Sequence, residues 1–469
     1  MIELIIENAM NDLLRNIPSV TELLDSPAIK DLLISTPNGL VVEATRTSLD
    51  ELRSDILAHN VDNINQAELI QIITSKVNLA YSTSLQSCIN ATGIILHTGL
   101  GRAPLAVEAV QAMAVIGQTY SSVEIDLDTG KRSQRVAAVE QKLTRLFGGE
   151  AAAVVNNNAG ATMLTLAALS SGKETVVSRG ELVEIGGSFR MPDVMKMSQA
   201  VLCEVGTTNK TRAADYEDAI GENTAILMKV HSSNYQITGF SQAAPIDDLI
   251  KVASRHEHVC VVDDIGSGAL YDYAEFGIKD EPRPAQSLKA GVDVVLFSGD
   301  KLFGGPQCGI ILGTKSAISK ISKHPMMRAL RLDKTILAAL NATLDLYLSP
   351  DPTKRVPVLQ LVSEPIERLQ TRAVDLAHKL NQYPYVMAEA AEDVTYLGGG
   401  SVPNQKIKTW VVSIQHENLS HDRLSEALRT GVNPVLGRIK QDMFRLDLRS
   451  VFTCQDKQIA TAFEALNNS

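Results

Sequence analysis

Short apolar strands alternate with amphipathic helical stretches from about residue 85 to residue 313. The predicted strands are Ala152–Val155, Thr175–Ser178, Ala225–Val230, His258–Asp263, Asp293–Ser298 and Gly309–Gly313. The predicted helices between them are Ala137–Leu146, Thr162–Leu169, Ala214–Ile220 and Ile246–Arg255. Because parallel strands need a crossover, usually a helix, this alternation predicts an α/β fold whose mostly parallel central sheet is covered on both faces. Ligands of such sheets bind at the carboxyl ends of the strands, so functional residues are expected there.

At 469 residues the chain is too long for one hydrophobic core, and its two ends differ in pattern from the middle. The first region is helical, with predicted helices at Val41–His59 and Gln66–Ser84. After Pro350-Asp351-Pro352 the pattern becomes a small α+β region, which begins with a predicted helix at Val362–Leu380. We therefore predict three domains: a small helical N-terminal domain at 1–80, a catalytic domain at 81–348 and a small C-terminal α+β domain at 349–469.

Composition and charge argue against several classes of protein. The apolar runs are too short to span a bilayer. Glu3, Glu7 and Asp12 interrupt an N-terminal segment that would be continuously apolar in a secretory leader. We therefore expect a cytoplasmic protein without a membrane partner. The five cysteines are scattered without a Cys-x-x-Cys pair, which indicates reduced thiols and no metal site. The net charge of −10 argues against DNA and broad nucleic-acid binding, but it permits a specific RNA contact.

The segment 295–309 carries the most specific chemical signal in the chain. A buried strand ends in Ser298-Gly299-Asp300-Lys301, and a glycine-rich turn and another strand follow. A lysine at the end of a core strand loses hydration, which favours its neutral amine and suits it to form an imine. The alternative is a surface lysine in a hairpin. Ser298 could add a hydroxyl to a phosphate site.

Two other strand ends could complete a site around Lys301. Four apolar residues lead to Asp263, whose carboxylate could keep a pyridine nitrogen protonated, although such an aspartate is commonly only a helix cap. The turn at 156–162 opens a helix with small residues, whose N–H groups are free to bind phosphate. The residues of this turn that we assign to the phosphate are Ala159, Gly160, Ala161 and Thr162. The order of phosphate turn, aspartate and lysine resembles the fold-type-I pyridoxal-phosphate enzymes, which predicts pyridoxal 5′-phosphate as the cofactor.

Longer motifs extend over nearly the whole chain and are weakest in the C-terminal region. They are LRNIPSV at residues 14–20, INATG at 89–93, HTGLGR at 97–102, YSSVE at 120–124, GKR at 130–132, VGTTNK at 205–210, KVHSSNY at 229–235, HP at 324–325 and RALRLDK at 328–334. Together with the segment around Lys301, they resemble bacterial selenocysteine synthase, the L-seryl-tRNA(Sec) selenium transferase family.

The resemblance implies a reaction at a serine carried by tRNA. Seryl-tRNA(Sec) would displace Lys301 to form an aldimine with the cofactor, and would lose the Cα proton and the hydroxyl to give a dehydroalanyl-tRNA. Selenium from selenophosphate would then add to the β-carbon and give selenocysteinyl-tRNA(Sec). Lys301 would be the general base once released, with Asp300 as a second acid–base group. His231 could lie beside the pyridine ring or be structural, and Glu184 could face the cofactor.

The resemblance also implies an arginine cluster that binds the anionic selenophosphate. Arg102 lies in a family motif, and Arg328 and Arg331 are three residues apart, so the latter two would share a helical face and could hold a tetrahedral oxyanion. Arg132 and Arg135 have the same spacing and could join this cluster. A solvated basic face is the alternative for both pairs.

The N-terminal domain would bind tRNA in such an enzyme, yet up to Tyr81 it has five Lys and Arg residues against twelve Asp and Glu residues. Recognition by shape, helped by neighbouring subunits, would reconcile this charge balance with RNA binding. The resemblance further implies a homo-oligomer, a dimer as the minimum and a ring of five dimers as the expected assembly. Two other hypotheses stay open: a related lyase or aldolase acting on a small amino acid or sugar acid, and a catalytically silent tRNA-binding or scaffold protein.

Overall fold

The computed structural model describes residues 10–58, 61, 63–81, 85–133, 135–185, 187, 189–232, 234–398, 405–431 and 433–467. The chain forms two compact units, Met1–Ser87 and Cys88–Ser469. The C-terminal α+β region is therefore part of the same compact unit as the central sheet. The predicted helix ends at His59 and Ser84 lie outside the described residues.

The first unit is built from short helices. Residues 10–15 are helical, and α1 (Val20–Leu24), α2 (Pro27–Ser35), α3 (Asn38–Leu57) and α4 (Gln66–Tyr81) follow. Ser19 caps α1 because its hydroxyl accepts a hydrogen bond from the backbone N–H of Glu22. Pro27 stands in the first turn of α2, where its missing N–H has no cost. The unit has an apolar core of its own, formed by residues that include Leu23, Ile29, Val41, Leu49, Leu69, Ile73 and Val77.

The second unit contains the strands and the remaining helices. Its strands are β1 (Ile89–Asn90), β2 (Ala151–Val155), β3 (Glu174–Ser178), β4 (Glu184–Ile185), β5 (Phe189–Arg190), β6 (Val201–Val205), β7 (Thr224–Val230), β8 (Cys260–Gly266), β9 (Val294–Ser298), β10 (Gly309–Gly313), β11 (Val386–Thr395), β12 (Ile407–His416), β13 (Val435–Leu436), β14 (Arg438–Lys440) and β15 (Met443–Asp447). Its helices are α5 (Val107–Gln118), α6 (Ala137–Phe147), α7 (Asn158–Ser170), α8 (Met191–Met197), α9 (Ala213–Glu217), α10 (Ile246–Ala253), α11 (Pro284–Ala290), α12 (Lys315–Lys323), α13 (Met326–Leu330), α14 (Lys334–Tyr347), α15 (Pro357–Ser363), α16 (Ile366–Leu380), α17 (His421–Thr430) and α18 (Asp456–Asn467).

A seven-stranded sheet with the order β2-β10-β9-β8-β7-β3-β6 forms the centre of this unit. Strand β10 is antiparallel to β2 and to β9, and the other neighbouring pairs are parallel. The predicted α/β class with a mostly parallel central sheet is thus confirmed. Strand β6 was not predicted, because it lies at the sheet edge and exposes Val201 and Glu204, so it lacks a continuous apolar run.

Apolar layers cover both faces of the central sheet. Val261 and Ile265 of β8 belong to one layer, and Val262 belongs to the other. Successive side chains of a strand point to opposite faces, so neighbouring residues of β8 reach different surroundings. This alternation decides where the two aspartates of β8 are placed. Across the residues that the structure describes, none of the helices is both long and apolar enough to cross a bilayer.

The C-terminal part has a four-stranded antiparallel sheet with the order β11-β12-β15-β14. Apolar residues of α16, α17 and α18 pack with this sheet in one core. The single helix predicted at Val362–Leu380 is two helices, because Pro365 cannot continue a helix: α15 ends at Ser363 and α16 begins at Ile366.

Candidate active site

Lys301 lies in a cavity of about 250 Å³ at the carboxyl ends of the central strands. It follows β9, and the residue is 6% exposed. Burial lowers the pKa of the Lys301 amine, and the positive charge of Arg102 lowers it further, while Asp264, Asp300 and Glu281 act in the opposite direction. A lysine whose pKa is lowered has more of the neutral, nucleophilic amine at a given pH.

The turn after β9 holds Lys301 through close backbone packing. A Cβ atom on Gly299 would lie 2.6 Å from the carbonyl oxygen of Pro306, so this position admits only glycine without a shift of the turn. The N–H of Gly305 donates to the carbonyl of Gly299 at 2.8 Å, and the N–H of Gly304 donates to the carbonyl of Lys301 at 2.9 Å. The glycine-rich sequence therefore sets the position of the lysine backbone.

Asp264 is the carboxylate of β8 that lines the Lys301 cavity. Its two oxygens accept hydrogen bonds from Asn158 Nδ2 at 2.9 Å and from Thr162 Oγ1 at 2.8 Å. Burial raises the pKa of the Asp264 carboxyl, and these two hydrogen bonds oppose that rise. Asp264 is thus a buried acid tied to the first turn of α7 and directed at the site.

Asp263, the carboxylate predicted from the sequence, does not line the Lys301 cavity. It lines a separate cavity of about 730 Å³, where its Oδ2 accepts a hydrogen bond from the Ser287 hydroxyl at 2.6 Å. Burial raises the pKa of Asp263 to about 6. The physical reason is the alternation of side chains along a strand, which sends adjacent residues to opposite faces. The sequence contained the signal, a second aspartate directly after the first, but not the face that each one occupies.

The predicted phosphate turn opens α7 at the edge of the cavity. Asn157, Asn158 and Ala159 line the cavity, as does Ser298. Asn157 is the N-cap, and its side chain accepts from the N–H of Gly160 at 2.7 Å. The first N–H groups of a helix have no partner within it, so those that Asn157 does not occupy are available to an anion.

Three of the residues assigned to the phosphate lie deeper in the first turn of α7. Ala161 and Thr162 are fully buried, and Gly160 is buried and already donates its N–H to the N-cap. Thr162 holds Asp264 and does not line the cavity. Sequence inspection missed Asn157 and Asn158, since asparagines before a helix are common as caps.

His231 lies at the end of β7 and lines both cavities. Its backbone N–H donates to the carbonyl of Asp264 at 3.0 Å, and its buried Nδ1 has no hydrogen-bond partner among the described residues. Burial lowers the pKa of His231 to about 4, and the charges of Lys229 and Lys301 contribute to this effect. The imidazole is therefore neutral at neutral pH and can lie against a flat ring.

Glu184 does not enter the Lys301 cavity. Its carboxylate pairs with Arg190 at 2.7 Å, and both side chains are more than half exposed. The next residue, Ile185, lines the cavity instead.

Arg102 and Asp300 form an ion pair inside the Lys301 cavity. Arg102 Nη1 lies 2.8 Å from Asp300 Oδ2, and the side chain of Asp300 is largely buried. Arg102 has a φ of +61°, in the left-handed region that non-glycine residues rarely adopt. The backbone at this point therefore holds an unfavourable conformation, with the guanidinium group engaged beside Lys301.

The other four predicted arginines line a third cavity, also of about 730 Å³, which we call the arginine cavity. These are Arg132, Arg135, Arg328 and Arg331. Glu124 lies among them, 2.8 Å from Arg135, 3.0 Å from Arg132 and 3.9 Å from Arg331. Arg328 forms no ion pair with any residue that the structure describes, so the cavity keeps an excess of positive charge.

Two details of the arginine prediction differ in the structure. Arg328 belongs to α13, but Arg331 follows that helix in an extended conformation, so the two meet in the cavity without sharing a helical face. Arg102 is not part of this cluster, because it lines the Lys301 cavity.

Two family models match the chain. The model of L-seryl-tRNA selenium transferase matches residues 88–452, and the model of the N-terminal part of selenocysteine synthase matches residues 14–53.

Curated proteins match over nearly the full length. The chain is 44% identical over 458 residues to L-seryl-tRNA(Sec) selenium transferase of Hyphomonas neptunium, and the match covers 97% of this chain and 99% of that protein. It is also 44% identical over 446 residues to the protein of the same name from Carboxydothermus hydrogenoformans, with 94% and 95% covered.

Among solved structures, D-glucosaminate-6-phosphate ammonia-lyase matches with a TM-score of 0.56 at 21% identity. The match covers 82% of this chain and 97% of that chain. At this level of identity the likeness shows the fold, and it agrees with the fold class predicted from the sequence.

Proposed function

Since the chain belongs to the L-seryl-tRNA(Sec) selenium transferase family, we propose that it converts L-seryl-tRNA(Sec) into L-selenocysteinyl-tRNA(Sec) with pyridoxal 5′-phosphate as cofactor and selenophosphate as selenium donor. The observation that carries this proposal is the match to relatives of that name over nearly the whole chain. The buried Lys301 and Asp264, which share one cavity, supply the chemistry that such a reaction needs.

The residues of the Lys301 cavity fit pyridoxal phosphate. The cavity, at about 250 Å³, is close to the lower end of the range for small-molecule sites. His231 Nδ1 and Asn158 Oδ1 are buried without a hydrogen-bond partner among the described residues, as expected where a polar ligand belongs. When bound, pyridoxal phosphate acts as an electron sink that makes the Cα proton of an amino acid acidic.

Each residue has a role in this proposal. The amine of Lys301 would attach the cofactor and, once free, would take the proton from the serine Cα. Asp264 would hold the proton of the pyridine nitrogen, because its buried carboxylate lies in the same cavity. The first turn of α7, with Ser298, would bind the phosphate, and the neutral ring of His231 would lie against the pyridine. Asp300, paired with Arg102, stays the proposed second acid–base group.

The activity is tested with purified protein, selenophosphate and two alternative substrates, seryl-tRNA(Sec) and free L-serine. We expect selenocysteinyl-tRNA(Sec) to form and free serine to be left unchanged, which mass spectrometry of the aminoacyl group would measure. Turnover of free L-serine with untouched seryl-tRNA(Sec) would contradict the proposal and favour a lyase or aldolase that acts on a small amino acid.

The arginine cavity is the proposed selenophosphate site. Its four arginines can donate several charge-assisted hydrogen bonds to a tetrahedral oxyanion, and Arg328 is the one among them without an ion pair to a described residue. This site and the Lys301 cavity share no lining residue within one protomer. We therefore infer a homo-oligomer, a dimer as the minimum and a ring of five dimers as the expected assembly, in which the arginines of one protomer serve the lysine of its partner.

Replacing both Arg328 and Arg331 with alanine should raise the KM for selenophosphate about 10- to 100-fold, since a hydrogen bond to a charged group contributes about 1.5–3 kcal/mol. Cofactor attachment to Lys301 should not change. The control is Arg255→Ala, which removes a partly exposed arginine that pairs with Glu217 away from both cavities. Steady-state kinetics with varied selenophosphate measure the effect, and an unchanged KM in the double variant would contradict the assignment.

An experiment with mixed oligomers distinguishes an active site shared between two protomers from an active site formed by a single protomer. The inactive Lys301→Ala variant mixed and refolded with the Arg328→Ala/Arg331→Ala variant should regain part of the activity, because some sites then combine an intact lysine with intact arginines. If all these residues act within one protomer, no site of that kind can form and the mixture stays as slow as the arginine variant alone.

We propose that the helical first unit contacts the tRNA by shape. Three of its five cations are engaged with carboxylates of the same unit, namely Lys30 with Asp25, Arg53 with Asp50 and Lys76 with Glu51. Arg15 and Arg46 are exposed and form no ion pair with a described residue. Few cations are thus free for phosphates, which fits recognition by shape better than recognition by charge. A substrate of this kind also supports a cytoplasmic location.

A further inference from the structure

The VGTTNK motif at 205–210 lies outside the Lys301 cavity and the arginine cavity. It ends β6 and forms a tight turn, in which the N–H of Thr207 donates to the carbonyl of Lys210 at 2.8 Å. Gly206 has a φ of +69°, and a Cβ atom there would lie 2.2 Å from Thr211 Oγ1, so the turn requires glycine. The residues at 208–210 line the cavity of about 730 Å³ around Asp263, which we call the Asp263 cavity. The motif therefore encodes a defined loop at this cavity.

This loop holds Phe240 at the outer part of the Asp263 cavity. Asn209 Nδ2 donates to the carbonyl of Phe240 at 2.6 Å, and the N–H of Gln242 donates to the carbonyl of Asn209 at 2.8 Å. Asn209, Ser241 and Gln242 are exposed and line the cavity. Phe240 itself is 88% exposed. A hydrogen-bonded loop thus presents an apolar ring to solvent beside the cavity.

Lys210 supplies a positive charge next to this ring. Its Nζ lies 5.9 Å from the centre of the Phe240 ring, and the residue lines the Asp263 cavity. Lys229 and Arg283 line the same cavity, but each has a carboxylate partner, at 2.6 Å and 3.2 Å. Lys210 forms no ion pair with any residue that the structure describes. An exposed aromatic ring beside a cation is the combination that binds the bases and phosphates of single-stranded nucleic acid.

The charges of the Asp263 cavity argue against a small free anion as its ligand. Glu181, Asp247 and Asp263 also line it, and their negative charges oppose the binding of an anion. A ligand that is held mainly by stacking, with one phosphate beside Lys210, fits this distribution better. Stacking depends on the face of a base and not on a cluster of cations.

The Asp263 cavity adjoins the Lys301 cavity. Val230 and His231 line both, so the two spaces lie on either side of the same residues. The Lys301 cavity, at about 250 Å³, is small for a site that already takes a cofactor. In an aminoacyl-tRNA the amino acid is esterified to the ribose of the last nucleotide, at the end of a single-stranded tail. That tail must therefore lie directly outside the Lys301 cavity while its seryl group reacts.

We propose that Phe240 and Lys210 bind the single-stranded 3′ end of the seryl-tRNA. The ring of Phe240 stacks on an unpaired base, and the amine of Lys210 contacts a phosphate of the same strand. The proposal rests on the proposed function, because that function supplies an aminoacyl-tRNA as the substrate. Stacking tolerates any base, so this contact places the 3′ end without selecting one tRNA over another.

Phe240→Ala should raise the KM for seryl-tRNA(Sec) about 5- to 100-fold, because the stacking of a base on the ring is lost. Phe240→Tyr keeps an aromatic face and should restore most of the lost affinity. The control is Tyr385→Ala, which removes an aromatic side chain that is 51% exposed and lies outside all three cavities. Steady-state kinetics with varied seryl-tRNA(Sec) measure the effect. An equal KM in Phe240→Ala and the unchanged protein would overturn the proposal.

A binding experiment separates the 3′ end from the rest of the tRNA. The full-length protein is titrated with uncharged tRNA(Sec) and with the same tRNA shortened by its single-stranded 3′ nucleotides. The unchanged protein should bind the shortened tRNA about 5- to 100-fold more weakly, whereas Phe240→Ala should bind the two with nearly equal affinity. The same loss in both proteins would contradict a contact between Phe240 and the 3′ end.

The salt dependence of binding tests Lys210. Lys210→Ala should reduce the slope of log affinity against log salt by about 0.7 for the complete tRNA, the value of one phosphate contact on a single strand. For the shortened tRNA the slope should be the same with and without this substitution. An unchanged slope for the complete tRNA means that Lys210 does not contact a phosphate, and the proposal fails for this residue.

Two further outcomes are distinguishable. If light scattering shows that Phe240→Ala lowers the mass of the oligomer, the ring belongs to a contact between copies of this chain and the proposal is wrong. If the unchanged protein converts seryl-tRNA(Sec) and Phe240→Ala does so with the same KM, the proposed function stands and the 3′-end contact fails. If the unchanged protein does not convert seryl-tRNA(Sec), the proposed function itself fails.

Discussion

Replacing Lys301 with alanine should lower the rate of selenocysteinyl-tRNA(Sec) formation by about a thousandfold or more. The variant loses the amine that attaches the cofactor and the base that removes the Cα proton, and no other lysine lines the Lys301 cavity among the described residues. Single-turnover assays with seryl-tRNA(Sec) and selenophosphate measure the rate. Mass spectrometry after borohydride reduction should find the cofactor on Lys301 in the unchanged protein and on no peptide of the variant.

Lys301→Arg is the matched variant for charge. It keeps a cation at the same position, but the guanidinium group stays protonated and cannot form an imine. We expect it to be as slow as the alanine variant. If the arginine variant retains substantial activity, the role of Lys301 is electrostatic and the assignment as the cofactor lysine is wrong.

The adjacent aspartates of β8 provide a sharper comparison. Asp264→Asn should lower kcat by about 10²- to 10³-fold, because the site loses the negative charge that keeps the pyridine nitrogen protonated. Asp263→Asn removes the same charge one residue earlier on the same strand. Asp263 lines the cavity that contains Ser287, not the Lys301 cavity, and accepts a hydrogen bond from the Ser287 hydroxyl. This variant should therefore keep most of the activity. Steady-state rates of both variants, with thermal unfolding to confirm folding, measure the difference.

The opposite ranking would place Asp263 at the cofactor. In that case the register of β8 would have to be shifted by one residue at its carboxyl end, so that Asp263 and not Asp264 faced the Lys301 cavity. A comparable loss in both variants would mean that the charge of the pair as a whole, and not the position of one carboxylate, sets the activity.

Much of the fold follows from local pattern. The apolar strands at 225–230 and 294–298 could be recognised because a strand covered on both faces needs a continuous apolar run. Edge strand β6 lacked this signal, since residues such as Glu204 face solvent. The break between α15 and α16 was also present in the sequence as Pro365, although helical periodicity on both sides concealed it.

The sequence by itself determined the order of the elements, the family and the position of Lys301 after a core strand. These depend on neighbouring residues: apolar runs, the glycines that permit the turn, and motifs that are continuous along the chain. It also suggested a cluster of Arg102, Arg328 and Arg331 that Arg132 and Arg135 could join, and the structure brings all of these except Arg102 to one cavity.

Only the tertiary structure decided which side chains share a cavity. Asp264 and not Asp263 meets Lys301, and Arg102 lies with Asp300 and apart from the other arginines. The reason is geometric, because pairing between strands and the twist of the sheet set the face of each residue. The register of β8 against β9 shifts between Asp264 and Gly266, so the pairing of these two strands is regular only up to Asp264.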